Sequence, residues 1–472
     1  MSTGKPTRIT ESGKTDDNVP PEAQVSANDL TPRQPFSRDI LWTLGARLLM
    51  VANSVGTGVI VARWLGATGL GAYAALNVAS GTAVQIGGAG LTAANIYFIS
   101  RDPKHLKPVF GNAVVFALLG GSALAIVLIA LASFAPALFT GIPLRFVAIT
   151  AAVIPFQLLV LFGLNVFLAR GRVGTFNLLD AIGQSFLLIN AVLTLVIAGT
   201  GLVYLLSVNT AAGVGMGVLI SWLVYRHVGL YQGSAQQTDV RLFKSMVRYG
   251  LKFNVSMAST MLVFRVDLLI VNYFRGTAEA GVYSVASQGG LLLMLLPNVI
   301  GSLLFPRVAS MRDMSGEFTA VVTRHTAFAL AIAVVLAIPG AFVLPYLYGA
   351  PFSDAPVQLL ILLPGVYLMG LEMVMVQHFV GTGLPAAIPM FWVMTLFFNI
   401  ALNLMIVPAY GARGASLVST LSYALIFALV FFYFRAKTHK RFADTFILRP
   451  IELRPLFAAA ARLFSSTGTK TA

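Results

Sequence analysis

Residues 254–287 read NVSMASTMLVFRVDLLIVNYFRGTAEAGVYSVAS: a long apolar run carrying Arg265 and Asp267, a turn of form G-x4-G-x-Y (Gly276, Gly281, Tyr283), and the start of a second apolar run. The same construction occurs 210 residues upstream, where residues 55–80 read VGTGVIVARWLGATGLGAYAALNVAS and place Gly66, Gly71 and Tyr73 at identical spacing. A helix pair has been used twice, and repetition on this scale sets the architecture of everything between the copies. With an odd-numbered helix opening each copy, the copies enter a bilayer in the same sense, as parallel repeats related by an axis along the membrane normal.

That the medium is a bilayer follows from composition. The 472-residue chain is 57% hydrophobic and 10% charged, against ~25% charged in soluble domains, and its mean hydropathy is +0.83. This predicts an all-α polytopic membrane protein. The net charge of +15 lies between apolar runs rather than on an amphipathic surface, which argues against nucleic acid as a partner. With no cysteine and five scattered histidines, neither a disulfide framework nor a metal cage is expected, and nothing points to a cofactor.

Apolar segments of the ~20 residues needed to span a bilayer lie at about 40–64, 70–99, 109–134, 144–169, 174–198 and 202–226. They resume at about 248–274, 280–305, 322–348, 356–381, 385–408 and 413–434. Twelve spans result, in two six-helix lobes (40–226 and 248–435) around a central cavity. Residues 1–39 are polar and proline-containing, without the apolar core of a signal peptide, and read as a disordered cytoplasmic tail. The linker 227–247 ends as a short basic amphipathic segment suited to the inner leaflet, and 436–472 is a basic tail whose stretch 455–464 reads as an interfacial helix. With both termini inside, the cytoplasmic segments hold 26 of the 32 Lys and Arg residues, while the external connections hold only Arg63, Arg145, Arg275 and Arg413. Short cytoplasmic loops carry such an excess.

Arg47 and Arg265 fall inside spans, where a charge costs ~2.5–3.5 kcal/mol on insertion scales and therefore faces protein or a wet cavity. Asn254, Arg265 and Asn272 share one helical face, as do Arg47, Ser54 and Gly58 on the first span. Two polar stripes, each with one arginine, would thus meet at the cavity. The competing reading pairs these arginines with Asp267, Glu372 or backbone carbonyls inside a lobe. Gln85, with Gly81, Gly88, Thr92 and Asn95, gives the second span a polar face. Asp267 and Glu372 are candidate carriers of a coupling H+ or Na+, and Asp180 sits near a span end, where it can snorkel. Pro155 and Pro364 can break the fourth and tenth spans. The G-x4-G-x-Y turns read as packing devices, with glycine for φ > 0 and close approach, and tyrosine with its hydroxyl in interfacial water.

At the repeated pair the sequence resembles a known family. LLMVANSVGTGVIVARWLGATGLGAYAAL (48–76), FRVDLLIVNYFRGTAEAGVYSVAS (264–287) and NIALNLMIVPAYGARGASLVSTLSYAL (399–425) look like the first, seventh–eighth and eleventh–twelfth helices of the polysaccharide (O-antigen or exopolysaccharide) flippases. These belong to the multidrug/oligosaccharidyl-lipid/polysaccharide (MOP) exporter superfamily. The resemblance implies a non-enzymatic, alternating-access flippase in the bacterial inner membrane, moving a polyprenyl-diphosphate-linked oligosaccharide to the periplasmic leaflet. It also implies partners in polysaccharide polymerase and export machinery, and a diphosphate role for Arg47 and Arg265. A drug or other amphiphile exporter of the same superfamily is the alternative, although an organic cation would favour an acidic cavity. A membrane glycan polymerase or ligase would be expected to carry larger external loops with catalytic carboxylates than the short ones here, which hold only Glu279 and Asp354.

Overall fold

Three glycines set how the chain doubles back. A computed structural model describes residues 36–229, 238–311 and 314–448; these are mostly helical, with no strand among them. The first helix, α1 (Phe36–Gly87), breaks at Gly66, where φ is 68° and ψ −173°, a conformation that a side chain resists. Residues on both sides of the break, Val51 to Gly58 and Leu70 to Val78, line one pocket, so the two arms lie side by side. Gly276, at φ 83° and ψ 176°, joins α8 (Val240–Arg275) to α9 (Thr277–Leu293). Gly411, at φ 56°, folds α14 (Ala387–Thr438) back on itself, bringing Asn399 within 3.0 Å of Ser422.

Between these hairpins run α2 (Leu91–Arg101), α3 (Leu106–Phe134), α4 (Leu144–Ala151), α5 (Ile154–Ala169), α6 (Val173–Ala191) and α7 (Leu202–Gly229). The second half adds α10 (Leu295–Ser310), α11 (Ser315–Ala341), α12 (Leu344–Tyr348), α13 (Ala355–Gly381) and α15 (Phe442–Phe446). Among the described residues ten helical stretches are long and apolar enough to cross a bilayer. Two of them, in α1 and α14, contain a doubling-back, which accommodates the twelve expected passes. The fold is an all-α polytopic membrane protein.

The inter-helix connections sort into two ends. At one, the terminal end, where α1 begins and α15 lies, Ser100 bonds the Ala169 carbonyl, Asn112 and Asp239 bond reciprocally at 2.8 and 3.2 Å, and Lys440 pairs with Glu317 at 3.5 Å. At the other, the hairpin end, Arg63 donates to the carbonyls of Leu347 (2.7 Å) and Tyr346, Glu279 accepts from the Ala412 amide at 2.7 Å, and Arg413 pairs with Asp354. This alternation is the one that the charge count requires.

Several boundaries differ from expectation. The basic stretch 240–247 is no separate in-plane helix; Asp239 caps it by accepting from the amides of Arg241 and Leu242 (2.8 and 3.1 Å), and it continues unbroken into the seventh span. Phe36 to Asp39, read as tail, begin α1. The second span is interrupted at Gly88–Gly90, where Ala89 and Gly90 adopt φ of 49° and 69°. Pro155 starts α5 just after a break in the fourth span, whereas α13 runs through Pro364. Residues 1–35 and the expected interfacial helix at 455–464 lie outside the described residues.

Candidate functional site

The second glycine of each motif locks the two halves together at the hairpin end. A methyl group on Gly71 would overlap the Thr277 carbonyl and crowd Gly281, and one on Gly281 would overlap the Ala67 carbonyl and crowd Gly71. The copies thus cross each other reciprocally, as a pseudo-two-fold requires. Two of the buried apolar clusters also bridge the halves here, one joining Leu76 and Val147 to Val271 and Val407, the other Val61 and Leu195 to Val285 and Phe352.

The tyrosines that follow do not reach interfacial water. Tyr283 is 1% exposed, and its hydroxyl donates to Asp267, which also accepts from Ser419 at 2.7 Å and from the Leu268 amide at 2.8 Å. Its repeat mate Tyr73 is half-buried, with the side chains of Asn77 and Asn209 beside its hydroxyl. Burying a phenol demands a partner, which Asp267 is for Tyr283; Thr57, at the same place sixteen residues before Tyr73, instead donates to the Asn53 carbonyl at 2.8 Å.

Below this closure lies a cavity of about 460 Å³ between the halves, lined by α1, α6, α8 and α9. Its polar wall is Ser54, Asn77, Gln184, Ser284, Ser287 and Gln288, with Tyr73 and Thr57 toward the hairpin end. Gln288 spans the halves by donating to Ser54 at 3.0 Å. Arg265 is the one charged residue in this lining. It is half-buried and makes no hydrogen bond or ion pair among the described residues. Asp267, two positions on, points into its own half toward Tyr283 and Ser419, consistent with i, i+2 residues facing apart.

The remaining candidates separate. Arg47 is exposed, lies outside the cavity lining, and is near enough to Asp180 for their charges to interact; it does not meet Glu372. Arg47 stands 19 residues before its turn glycine and Arg265 stands 11 before its own, a difference of about 12 Å in helix rise. The two arginines therefore sit at different depths, which corrects the expectation of matched stripes. Among the other expected cavity residues only Ser54 lines it. Gln85 does not, Asn254 instead holds the Ile86 carbonyl at 3.0 Å, and Asn95 and Asn272 are fully buried in packed helix with side-chain atoms unpaired among the described residues. Glu372 is 1% exposed with neither oxygen hydrogen-bonded.

The sequence reading missed Gln288, Ser284 and Ser287, although their i, i+3, i+4 spacing on the eighth span was a legible polar stripe. It also placed the polar face of the second span about two turns too late, at Gly81 and Gln85 instead of Tyr73 and Asn77.

Residues 36–312 match the family of polysaccharide biosynthesis proteins. The chain belongs to that family. It is 29% identical over 247 residues, 48% of this chain and 50% of the relative, to the protein named Probable flippase AglR of Haloferax volcanii. Over 221 residues, 45% of each chain, it is 21% identical to the Probable low-salt glycan biosynthesis flippase Agl15 of the same organism. These matches span about half the length of each relative. Among solved structures it is similar to the lipid II flippase MurJ in an inward closed conformation (TM-score 0.67, 15% identity, 84% of this chain and 87% of that one). It is also similar to an inward-facing multidrug resistance MATE family transporter of the MOP superfamily (TM-score 0.65, 14% identity, 85% and 98%). The fold is the one these two transporters share.

Proposed function

We propose that this chain is a flippase, carrying a polyprenyl-diphosphate-linked oligosaccharide from the cytoplasmic to the periplasmic leaflet of a bacterial inner membrane by alternating access. The terminal end then faces the cytoplasm, and the polymerase and export machinery act on what is delivered. One observation carries the reading: a guanidinium, Arg265, without a hydrogen bond or ion pair among the described residues, set in a polar cavity between two halves that are sealed at the hairpin end. A guanidinium fork suits phosphate oxygens, while Gln184, Gln288 and the serines offer hydrogen bonds to sugar hydroxyls and the prenyl chain stays in lipid. No carboxylate lines the cavity, which disfavours export of organic cations.

For coupling, Asp267 in its hydroxyl-lined nest and Glu372 with its unpartnered oxygens are the two acids placed to exchange H+ or Na+ within the second half. Binding tests the central reading. Purified protein should bind the diphosphate-linked oligosaccharide, and Arg265→Ala should weaken binding about tenfold or more, the worth of one charge-assisted contact. Equal binding by wild type and Arg265→Ala would refute it.

A further inference from the structure

At the terminal end, away from the central cavity, α2 and the first turns of α8 enclose a second pocket of about 510 Å³, lined by Tyr97, Phe98, Arg101, His105, Ser245, Arg248 and Tyr249. It straddles the two halves. Beside it Gly90 and Gly250 approach so closely that a methyl group on either would overlap the other's backbone. Tyr97 and Tyr249, one from each half, stack at 4.5 Å with their planes 20° apart. Phe98 stands edge-on to both, at 5.2 and 6.2 Å, and also to His105. This aromatic box is rigid and carries its cations at its rim. Arg101 donates to the Tyr97 hydroxyl at 2.7 Å, Arg248 faces it from α8, and neither has a carboxylate partner among the described residues. No acid lines the pocket. The nearby Asp102 and Asp239 accept from the amides of Lys104 (2.9 Å) and of Arg241 and Leu242. The His105 Nδ1 is buried without a partner among the described residues.

Depth identifies the ligand class. The apolar segment within α8 opens at about residue 248, so Arg248 sits at its terminal-end boundary, at the level of lipid headgroups. Tyrosine rings also belong at that level, and basic pockets between membrane helices there hold anionic headgroups.

We propose that this pocket binds the phosphate of an anionic membrane lipid, gripped by Arg101 from the first half and Arg248 from the second, so that the bound lipid bridges the seam. The site is separate from Arg265 and stands whatever the transported molecule is. The test uses full-length protein in detergent, titrated with phosphatidylglycerol or phosphatidylcholine and read by native mass spectrometry. Wild type should retain phosphatidylglycerol selectively. Arg101→Gln/Arg248→Gln should lower that retention about tenfold or more, with elution volume and phosphatidylcholine retention unchanged, and Arg101→Lys/Arg248→Lys should fall between, since charge survives and the fork is lost. Wild-type phosphatidylglycerol retention by either double variant would overturn the proposal. Displacement of the lipid by millimolar inorganic phosphate would also overturn it, by showing a soluble-anion site, as would preferential retention of polyprenyl diphosphate, which would make this a loading site for cargo.

Discussion

Arg265 stands at a depth where a guanidinium costs ~2.5–3.5 kcal/mol, in a cavity lined by no carboxylate, with Asp267 within electrostatic reach but hydrogen-bonded into its own half. A side chain held at such cost and serving no packing role can be removed without unfolding the protein. Arg265→Ala should therefore reach the membrane at wild-type level and lose most transport, with Arg265→Lys recovering part of it. Loss of the protein from the membrane would instead mark the arginine as structural. Arg47→Ala should matter less, because that residue is exposed, about 12 Å of helix rise from the depth of Arg265, and close to Asp180; an effect equal to that of Arg265→Ala would contradict the assigned depths. The acids make a third case. If either carries the coupling ion, Asp267→Asn or Glu372→Gln should slow transport and flatten its pH dependence, and an unchanged profile in both removes them as coupling groups. Both arginines were legible as intramembrane charges, since apolar sequence surrounds them. Their unequal depth was recoverable only by counting back from the turn glycines, and Ser419, which donates to Asp267, lies on a helix far off in sequence, where helical periodicity carries no information.

At the scale of elements, the repeated turn closes the hairpin end of the cavity. Its first glycine supplies the left-handed bend, and its second supplies contact with the other copy. The spacing alone reveals the bend, because φ > 0 is a local demand. The crossing joins Gly71 to Thr277 and Gly281 to Ala67, pairs some two hundred residues apart, and no local pattern encodes it. For the same reason the tyrosine was read as interfacial: its amphipathic ring fits water as well as it fits the buried Asp267, and only packing chooses. Gly281→Ala should leave each half folded but spread the hairpin-end closure, and Arg63→Ala should loosen it by removing two bonds to the carbonyls at the end of α12. The chain contains no cysteine, so a single Ser284→Cys reports on the cavity without background. From the hairpin side its labelling by a membrane-impermeant maleimide should rise at least severalfold in the Gly281→Ala background, and unchanged labelling would show that the crossing is not the barrier.

Over the whole molecule, the helical passes were the most legible property, because each is a long apolar run, while the lysine and arginine distribution sets the expected orientation. Reporters joined after residue 229 or at 437 should read cytoplasmic and insertions at 277 or 352 external; the reverse at all four would invert the transport direction proposed here. Alternating access makes a stricter demand, that the hairpin end opens once per cycle. Arg63 and Leu347 lie on opposite halves of that closure, so Arg63→Cys/Leu347→Cys joined by a short cleavable thiol linker locks it. The decisive measurement follows the leaflet position of a polyprenyl-diphosphate-linked oligosaccharide in liposomes containing this double variant. Transport should proceed before cross-linking, stop when the linker is attached, and resume when it is reduced; transport that continues through the cross-linked protein, or that matches protein-free liposomes throughout, would contradict the account.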